Sequence, residues 1–182
     1  MEDLSLHILD IAENSIRAQA RLIRIQIEED QDKDLLWLTI TDDGKGMTEE
    51  QTKMVLDPFY TTKTTRRFGL GLSLLAEAAR ATGGDLSLQS STGKGTEVKA
   101  FFQLNHIDRQ PTGDMSQTLV TLIAGHPDID FLYTHRVNGD LFSLDTREVK
   151  EKLGDVPIRS PEVVSFIRNY ISEGLDTIRR QI

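Results

Sequence analysis

Apolar positions recur at a helical period across residues 3–20, with Leu6, Leu9 and Ile16 on one stripe and Leu4, Ile8 and Ile11 beside it. Two alternating runs follow. Ile23, Ile25 and Ile27 interleave with Arg24 and Gln26, and Leu36, Leu38 and Ile40 interleave with Trp37 and Thr39. The charged stretch EEDQDKD joins them, which predicts an antiparallel hairpin. Thr48 with Gln51 forms a capping box for a short helix ending near Leu56, and Pro58 breaks it. The polar run TTKTTRR leads into GLGLSLLAEAARATGG, a helix that opens on glycines and stops at Gly83-Gly84. Strands at 85–90 and 96–104 flank the turn STGKG.

The polar segment NHIDRQPTG, residues 105–113, carries Pro and Gly and predicts a boundary. Beyond it Asp114 caps a helix that ends at Gly125. Residues 131–136 and 140–144 pair around Val137-Asn138-Gly139, a strong hairpin signal. Asp145 with Glu148 caps a short helix stopping at Gly154, and Ser160-Pro161 supplies an N-cap and a Pro at N1 for the last helix. The expected organisation is a unit over 1–104 and a C-terminal extension over 105–182, packed on or extending the same sheet. The expected fold class is α/β: a two-layer sandwich with a mixed, mainly antiparallel sheet, covered on one face by the first and third helices.

Composition narrows the function classes. The chain has 182 residues, no cysteine and a net charge of −8. Thiolate metal sites and thiol nucleophiles are excluded, and the acidic balance argues against nucleic acid or an anionic membrane as partner. Nothing in the chain resembles an apolar run of about 18 residues, and the N-terminus lacks the form of a secretory signal, so a cytoplasmic location is expected. His106, His126 and His135 are spaced too widely for a compact metal motif and are expected at the surface or in loops.

Four local features carry candidate chemistry. On the first helix Glu13 interrupts the stripe of Leu6, Leu9 and Ile16, where a dry, unpaired carboxylate would cost several kcal/mol; beside it His7, Asp10, Asn14 and Arg17 form a wholly polar stripe. TDDGKGM, residues 41–47, ends a strand; Asp42 can accept from an exocyclic amine, and Gly44 and Gly46 let the backbone pass close to a flat ligand. In KTTRRFGLGL, Lys63, Arg66 and Arg67 run into Gly69 and Gly71 at a helix N-terminus, a setting that suits a polyphosphate. Gly93-Lys94-Gly95-Thr96 is a Gly-rich hairpin turn.

The order of these features resembles the GHKL superfamily of gyrase-type topoisomerases, heat-shock chaperones, histidine kinases and mismatch-repair ATPases. HILDIAENSIRA is similar to its N box, TDDGKGM to its first glycine box, DPFYTTK to its F box, FGLGL to its second glycine box and GKGT to its third. The resemblance covers about residues 3–104 and implies ATP with Mg²⁺ as ligands in a Bergerat ATP-binding fold. It implies that Asp42 binds the adenine amine, Asn14 the Mg²⁺, and Gly69, Leu70, Gly71 and Leu72 the phosphates. Thr96 would support the adenine side and 63–68 would form a short lid. Arg17, Gly44, Gly46, Met47 and Lys63 complete the implied nucleotide-binding set, and Glu13 would activate the attacking water or hydroxyl.

The first glycine box has Asp43 where the family usually has Asn. The chain as given starts at the N box, without a helical hairpin carrying a phosphoacceptor histidine, so autophosphorylation is not expected. Two functional readings stand: a regulatory ATPase or protein kinase of weak activity, and a nucleotide-dependent binding switch of the anti-sigma-factor type. The whole chain is also similar to short stand-alone GHKL proteins of anaerobic bacteria associated with iron-only hydrogenase gene clusters, which implies a hydrogenase-related protein or a transcription regulator as partner. In the last helix Val163, Ile167 and Ile171 recur with Phe166 and Tyr170 alongside, an apolar width that reads either as completing the core or, as hypothesised here, as a face that docks that partner or a second copy of the chain.

Overall fold

The computed structural model describes residues 3–55 and 71–180. Chain order is α1 (Leu4–Arg17), β1 (Leu22–Asp30), β2 (Leu35–Asp42), α2 (Glu49–Val55), α3 (Gly71–Arg80), β3 (Asp85–Ser91) and β4 (Gly95–Gln103). Then come α4 (Met115–Gly125), β5 (Asp130–Val137), β6 (Asp140–Asp145), α5 (Thr146–Leu153) and α6 (Pro161–Arg179). One six-stranded sheet runs in the order β3-β4-β2-β1-β5-β6. Its pairs are antiparallel except β1 with β5, which run parallel from Leu22↔Asp130 to Glu29↔Val137. The α/β class and the mixed, mainly antiparallel sheet match the expectation, and the second hairpin lengthens the sheet rather than sitting on it.

Alternation decides which face is buried. Ile23, Ile25, Ile27, Leu36, Leu38, Ile40, Val98, Ala100, Phe102, Phe131 and Tyr133 all point to one side and are buried. Arg24, Gln26 and Glu28 point to the other and are exposed. On the buried side α1 packs over β1 and β2, α3 over β3 and β4, and α6 over β5 and β6, with α4 between α1 and α6. The helical cover therefore exceeds the two helices expected.

Local chemistry at the element ends follows the sequence. Thr48 and Gln51 exchange bonds: the Gln51 N–H donates to Thr48 Oγ1 at 3.2 Å and the Thr48 N–H to Gln51 Oε1 at 2.9 Å. Asp114 accepts from the Gln117 N–H at 2.8 Å and Asp145 from the Arg147 N–H at 2.9 Å. Asn138 and Gly139 both take positive φ, 49° and 102°, as a tight hairpin between right-twisted strands demands.

Three expectations change. Ser160 precedes the Pro of α6 but its hydroxyl makes no capping bond, and its Oγ is buried without a partner. His135 is fully buried rather than in a loop, because it follows Phe131 and Tyr133 on the inward face of β5. Its Nδ1 pairs with the Tyr133 hydroxyl and its Nε2 with Glu29 Oε1, both at 2.8 Å. The α1 stripe turned to the core is Leu4, Ile8, Ile11 and Ser15, while Leu6 is 41% exposed and Leu9, Glu13 and Ile16 are half-buried.

Candidate functional site

Helix α1, the end of β2, the start of α3 and the β3–β4 hairpin enclose a cavity of about 540 Å³. Ile11, Ile40, Met47, Leu72 and Val98 give it apolar walls, and Asn14, Ser15, Arg17, Asp42 and Thr96 supply polar atoms. Apolar walls with a few convergent polar groups are the usual form of a small-molecule or cofactor site.

Asp42 is the last residue of β2 and lies opposite Thr96 in the β2–β4 register. It is buried, and its carboxylate is fixed on both oxygens: Ser15 Oγ donates to Oδ2 at 2.6 Å and the Gly44 N–H to Oδ1 at 2.9 Å. Each carboxylate oxygen keeps lone-pair capacity, so Asp42 can still accept from a ligand amine in the cavity. Thr96 Oγ1 bonds Ser90 Oγ at 2.9 Å, and Ser90 Oγ also accepts from the Met47 N–H at 2.9 Å. These bonds tie the third glycine box to the first.

The glycines serve the fold as much as a ligand. Gly46 has φ +64°, and a Cβ there would lie 2.0 Å from the Ser91 carbonyl oxygen. Its lack of a side chain thus lets the 41–47 segment seat against the β3–β4 hairpin, while its backbone still lines the cavity. Gly44 is buried and does not line it; a Cβ there would meet the Ala18 carbonyl at 2.8 Å. Asp43 has a structural task, accepting from the Arg21 and Leu22 N–H groups at 2.7 and 2.9 Å, which holds β1 to the end of β2.

On α1, Asn14 Oδ1 accepts from Arg17 Nη1 at 3.1 Å. A carbonyl oxygen has two lone pairs, so one remains for a cation. A single hard oxygen suits Mg²⁺, which keeps several waters and binds substrate phosphates. Among the described residues no group of three or more His, Cys, Asp or Glu forms a preassembled metal cage.

Glu13 is not part of the cavity lining. It projects toward α4, where Glu13 Oε1 lies 3.2 Å from Nε2 of His126, the C-cap residue. Asp10, four residues before Asn14, lies against Gly71 at the first described turn of α3. Its Oδ2 is buried without a hydrogen-bond partner, and a Cβ on Gly71 would lie 1.8 Å from it. Its membership of the His7, Asp10, Asn14, Arg17 stripe was the signal that could have found it. The structure thus brings together Asn14, Arg17, Asp42, Gly46, Met47, Leu72 and Thr96, with Gly71 adjoining. Lys63, Gly69 and Leu70, with the expected lid at 63–68, lie outside the described residues.

Residues 2–106 match the family described as histidine kinase-, DNA gyrase B- and HSP90-like ATPases. The chain belongs to this family. Sporulation kinase E of Bacillus subtilis is 40% identical over 65 residues, 36% of this chain and 9% of that protein. Sensor histidine kinase ZraS of Salmonella typhimurium is 33% identical over 89 residues, 48% of this chain and 19% of that one. The non-motile and phage-resistance protein of Caulobacter vibrioides is 30% identical over 116 residues, 59% of this chain and 14% of that one. The chain therefore spans less than a fifth of the length of these relatives. Among solved structures, the Aquifex aeolicus MutL ATPase domain complexed with ADP aligns at 15% identity and a TM-score of 0.48, covering 83% of this chain and 68% of that one. Membership in this histidine-kinase-like ATPase family implies ATP binding.

Proposed function

We propose that this chain is a regulatory ATP- and Mg²⁺-binding protein that hydrolyses ATP slowly or passes its γ-phosphoryl group to a protein. The observation that carries the reading is the cavity in which a doubly anchored Asp42 faces apolar walls, with Asn14 and the first residues of α3 adjoining it. Mg²⁺ held by Asn14 would supply charge neutralisation at the phosphates. Positioning does most of the remaining work in such transfers. We assign the attacking water or hydroxyl to Asp10 rather than Glu13, because Asp10 carries the unpartnered oxygen at Gly71 while Glu13 pairs with His126.

Calorimetric titration with ATP and Mg²⁺ tests the binding. Asp42→Asn should weaken it about thirtyfold, the worth of roughly 2 kcal/mol for a hydrogen bond to a charged group. Unchanged affinity would remove Asp42 from the adenine site.

A binding switch without efficient catalysis is the second reading, favoured by the exposed Phe166 and Tyr170 on α6, 66% and 45% accessible, whose rings stack at 6.3 Å. Labelled ATP in a cell extract separates the possibilities: a labelled protein band supports a kinase, free phosphate an ATPase, and nucleotide-dependent capture of a protein without either a switch. The partner classes we propose are a hydrogenase-related protein or a transcription regulator, and a second copy of this chain. Among the described residues no helix is long and apolar enough to cross a membrane; we propose that the chain acts in the cytoplasm.

A further inference from the structure

The second hairpin leaves one side of the sheet open. β6 ends the order β3-β4-β2-β1-β5-β6 and pairs with β5 alone. Asn138 and Gly139 form the two-residue turn, so Val137 and Asp140 are its first hydrogen-bonded pair. Alternation from there gives the backbone of Asp140, Phe142 and Leu144 to β5. It turns the N–H and C=O groups of Leu141 and Ser143 to the open edge. Among the described residues no backbone bond from another element reaches Leu141 or Ser143.

A groove of about 480 Å³ runs along this edge. Ser143, Leu144 and Asp145 all line it, although Ser143 and Leu144 point to opposite faces of the sheet. Consecutive strand residues reach one groove only along the edge they share. α5 forms one wall and α6 the other, through Val149, Leu153, Val163 and Phe166 among others, and no lining residue is shared with the Asp42 cavity. An open strand edge beside an apolar helix wall is the form in which an extended peptide adds as a strand. Its main chain supplies the bonds and its alternate side chains enter the groove.

Charge selects the occupant. Asp145, Glu148 and Glu162 line the groove against one cation, Lys152, and Asp145 is already held by Arg147. Glu148 and Glu162 remain as exposed carboxylates at the rim. A second copy of the chain would bring the same acidic rim to a symmetric interface, whereas a segment carrying Lys or Arg brings the complementary charge.

We propose that the β6 edge and the α5–α6 groove bind an extended segment of another protein, with apolar residues at alternate positions and Lys or Arg beside them. The segment lies as one more strand of the sheet, bonded to the backbone of Leu141 and Ser143, and packs its inward apolar side chains against Val163 and Phe166. This site rests on the partner reading above, in which α6 meets another protein, and needs neither ATP binding nor hydrolysis.

The test uses the full chain and a phage-displayed library of random peptides, selected without nucleotide. Selected peptides should alternate apolar with other residues and be enriched in Lys and Arg. The tightest of them, made synthetically, should slow amide hydrogen exchange at Leu141 and Ser143 about tenfold or more. Phe166→Ser should weaken its binding about tenfold and leave Tm near wild type, because that ring is mostly exposed. Glu148→Lys combined with Glu162→Lys should weaken it by a similar factor and remove its salt dependence. Ser143→Pro deletes an outward N–H and spares the bonds to β5, so it should abolish binding that Ser143→Ala retains; if the Pro chain fails to fold, the exchange measurement decides. A library that yields no binder overturns the proposal, as do binders that leave the Leu141 and Ser143 amides unprotected. Protection of those amides without peptide, rising with protein concentration alongside a dimer in gel filtration, overturns it in favour of a second copy. Capture of a protein that survives both Phe166→Ser and Ser143→Pro overturns this site and leaves the partner reading standing. Peptide affinity unchanged by ATP overturns the switch reading and leaves this site standing.

Discussion

At the scale of single residues, two carboxylates on α1 compete for the same role and differ in what surrounds them. Glu13 has a partner, His126, whereas Asp10 has an oxygen with none. Asp10→Asn should keep ATP affinity within about threefold and lower turnover by about a hundredfold or more, the usual weight of a positioned base. Glu13→Ala should leave turnover within about twofold and cost at most about 1 kcal/mol of stability, since its pair is a half-exposed one. Steady-state phosphate release and urea melts on both variants check this, and a Glu13→Ala chain that lost turnover would restore the role to Glu13. Asp42, Asn14 and Thr96 were legible because each sits in a short pattern whose spacing carries meaning. Asp10 was harder to see: an isolated charge on the stripe of Leu6, Leu9 and Ile16 draws attention, and only the rotation of α1 shows Glu13 turned to His126 and away from the cavity.

Helices and strands were legible where local chemistry determines them, as at the Thr48–Gln51 box and the Asn138-Gly139 turn. Contacts between distant elements were not. His135 lies on an inward position of β5 by simple alternation, yet its partner Glu29 comes from β1, and no periodicity links two residues so far apart. Caps provide a direct comparison. Asp114→Ala should destabilise the chain by about 1 kcal/mol, because α4 loses the acceptor for the Gln117 N–H; Ser160→Ala should be neutral within about 0.5 kcal/mol, because that hydroxyl caps nothing. The β1–β5 pair also has a pH signature. Burial raises the Glu29 pKa, but the His135 hydrogen bond and charge, with Arg179 and Arg109, outweigh it and hold the carboxyl below its ordinary value. A depressed carboxyl contributes stability that is complete above about pH 4.3 and is lost as pH falls through the folded value. Urea midpoints between pH 7 and 3 should therefore drop at the acid end, and Glu29→Gln should flatten that part of the curve.

On the scale of the whole molecule, the extension is built into the sheet. Removing residues after Leu104 would strip β5 from β1 and α4 from α1, and would take Leu119, Leu122, Phe131 and Tyr133 out of the buried core. The truncated chain is expected to aggregate or to lose its cooperative melt, together with ATP binding. Circular dichroism and gel filtration read the first outcome and calorimetry the second. A soluble, cooperatively folded fragment that binds ATP would show instead that 1–104 stands alone and that the extension serves a partner.

The parallel pairing of β1 with β5 also sets a timetable. Its two strands lie about a hundred residues apart in the chain, so the loop that must close is long and its closure is slow compared with the neighbouring hairpins. On the ribosome, every residue of the cavity lining is synthesised before β5 exists. A nascent chain that has made this whole lining still lacks β5, the strand that covers the β1 edge of its sheet. A translation pause placed between β4 and β5 would lengthen the interval in which β1 is an open edge.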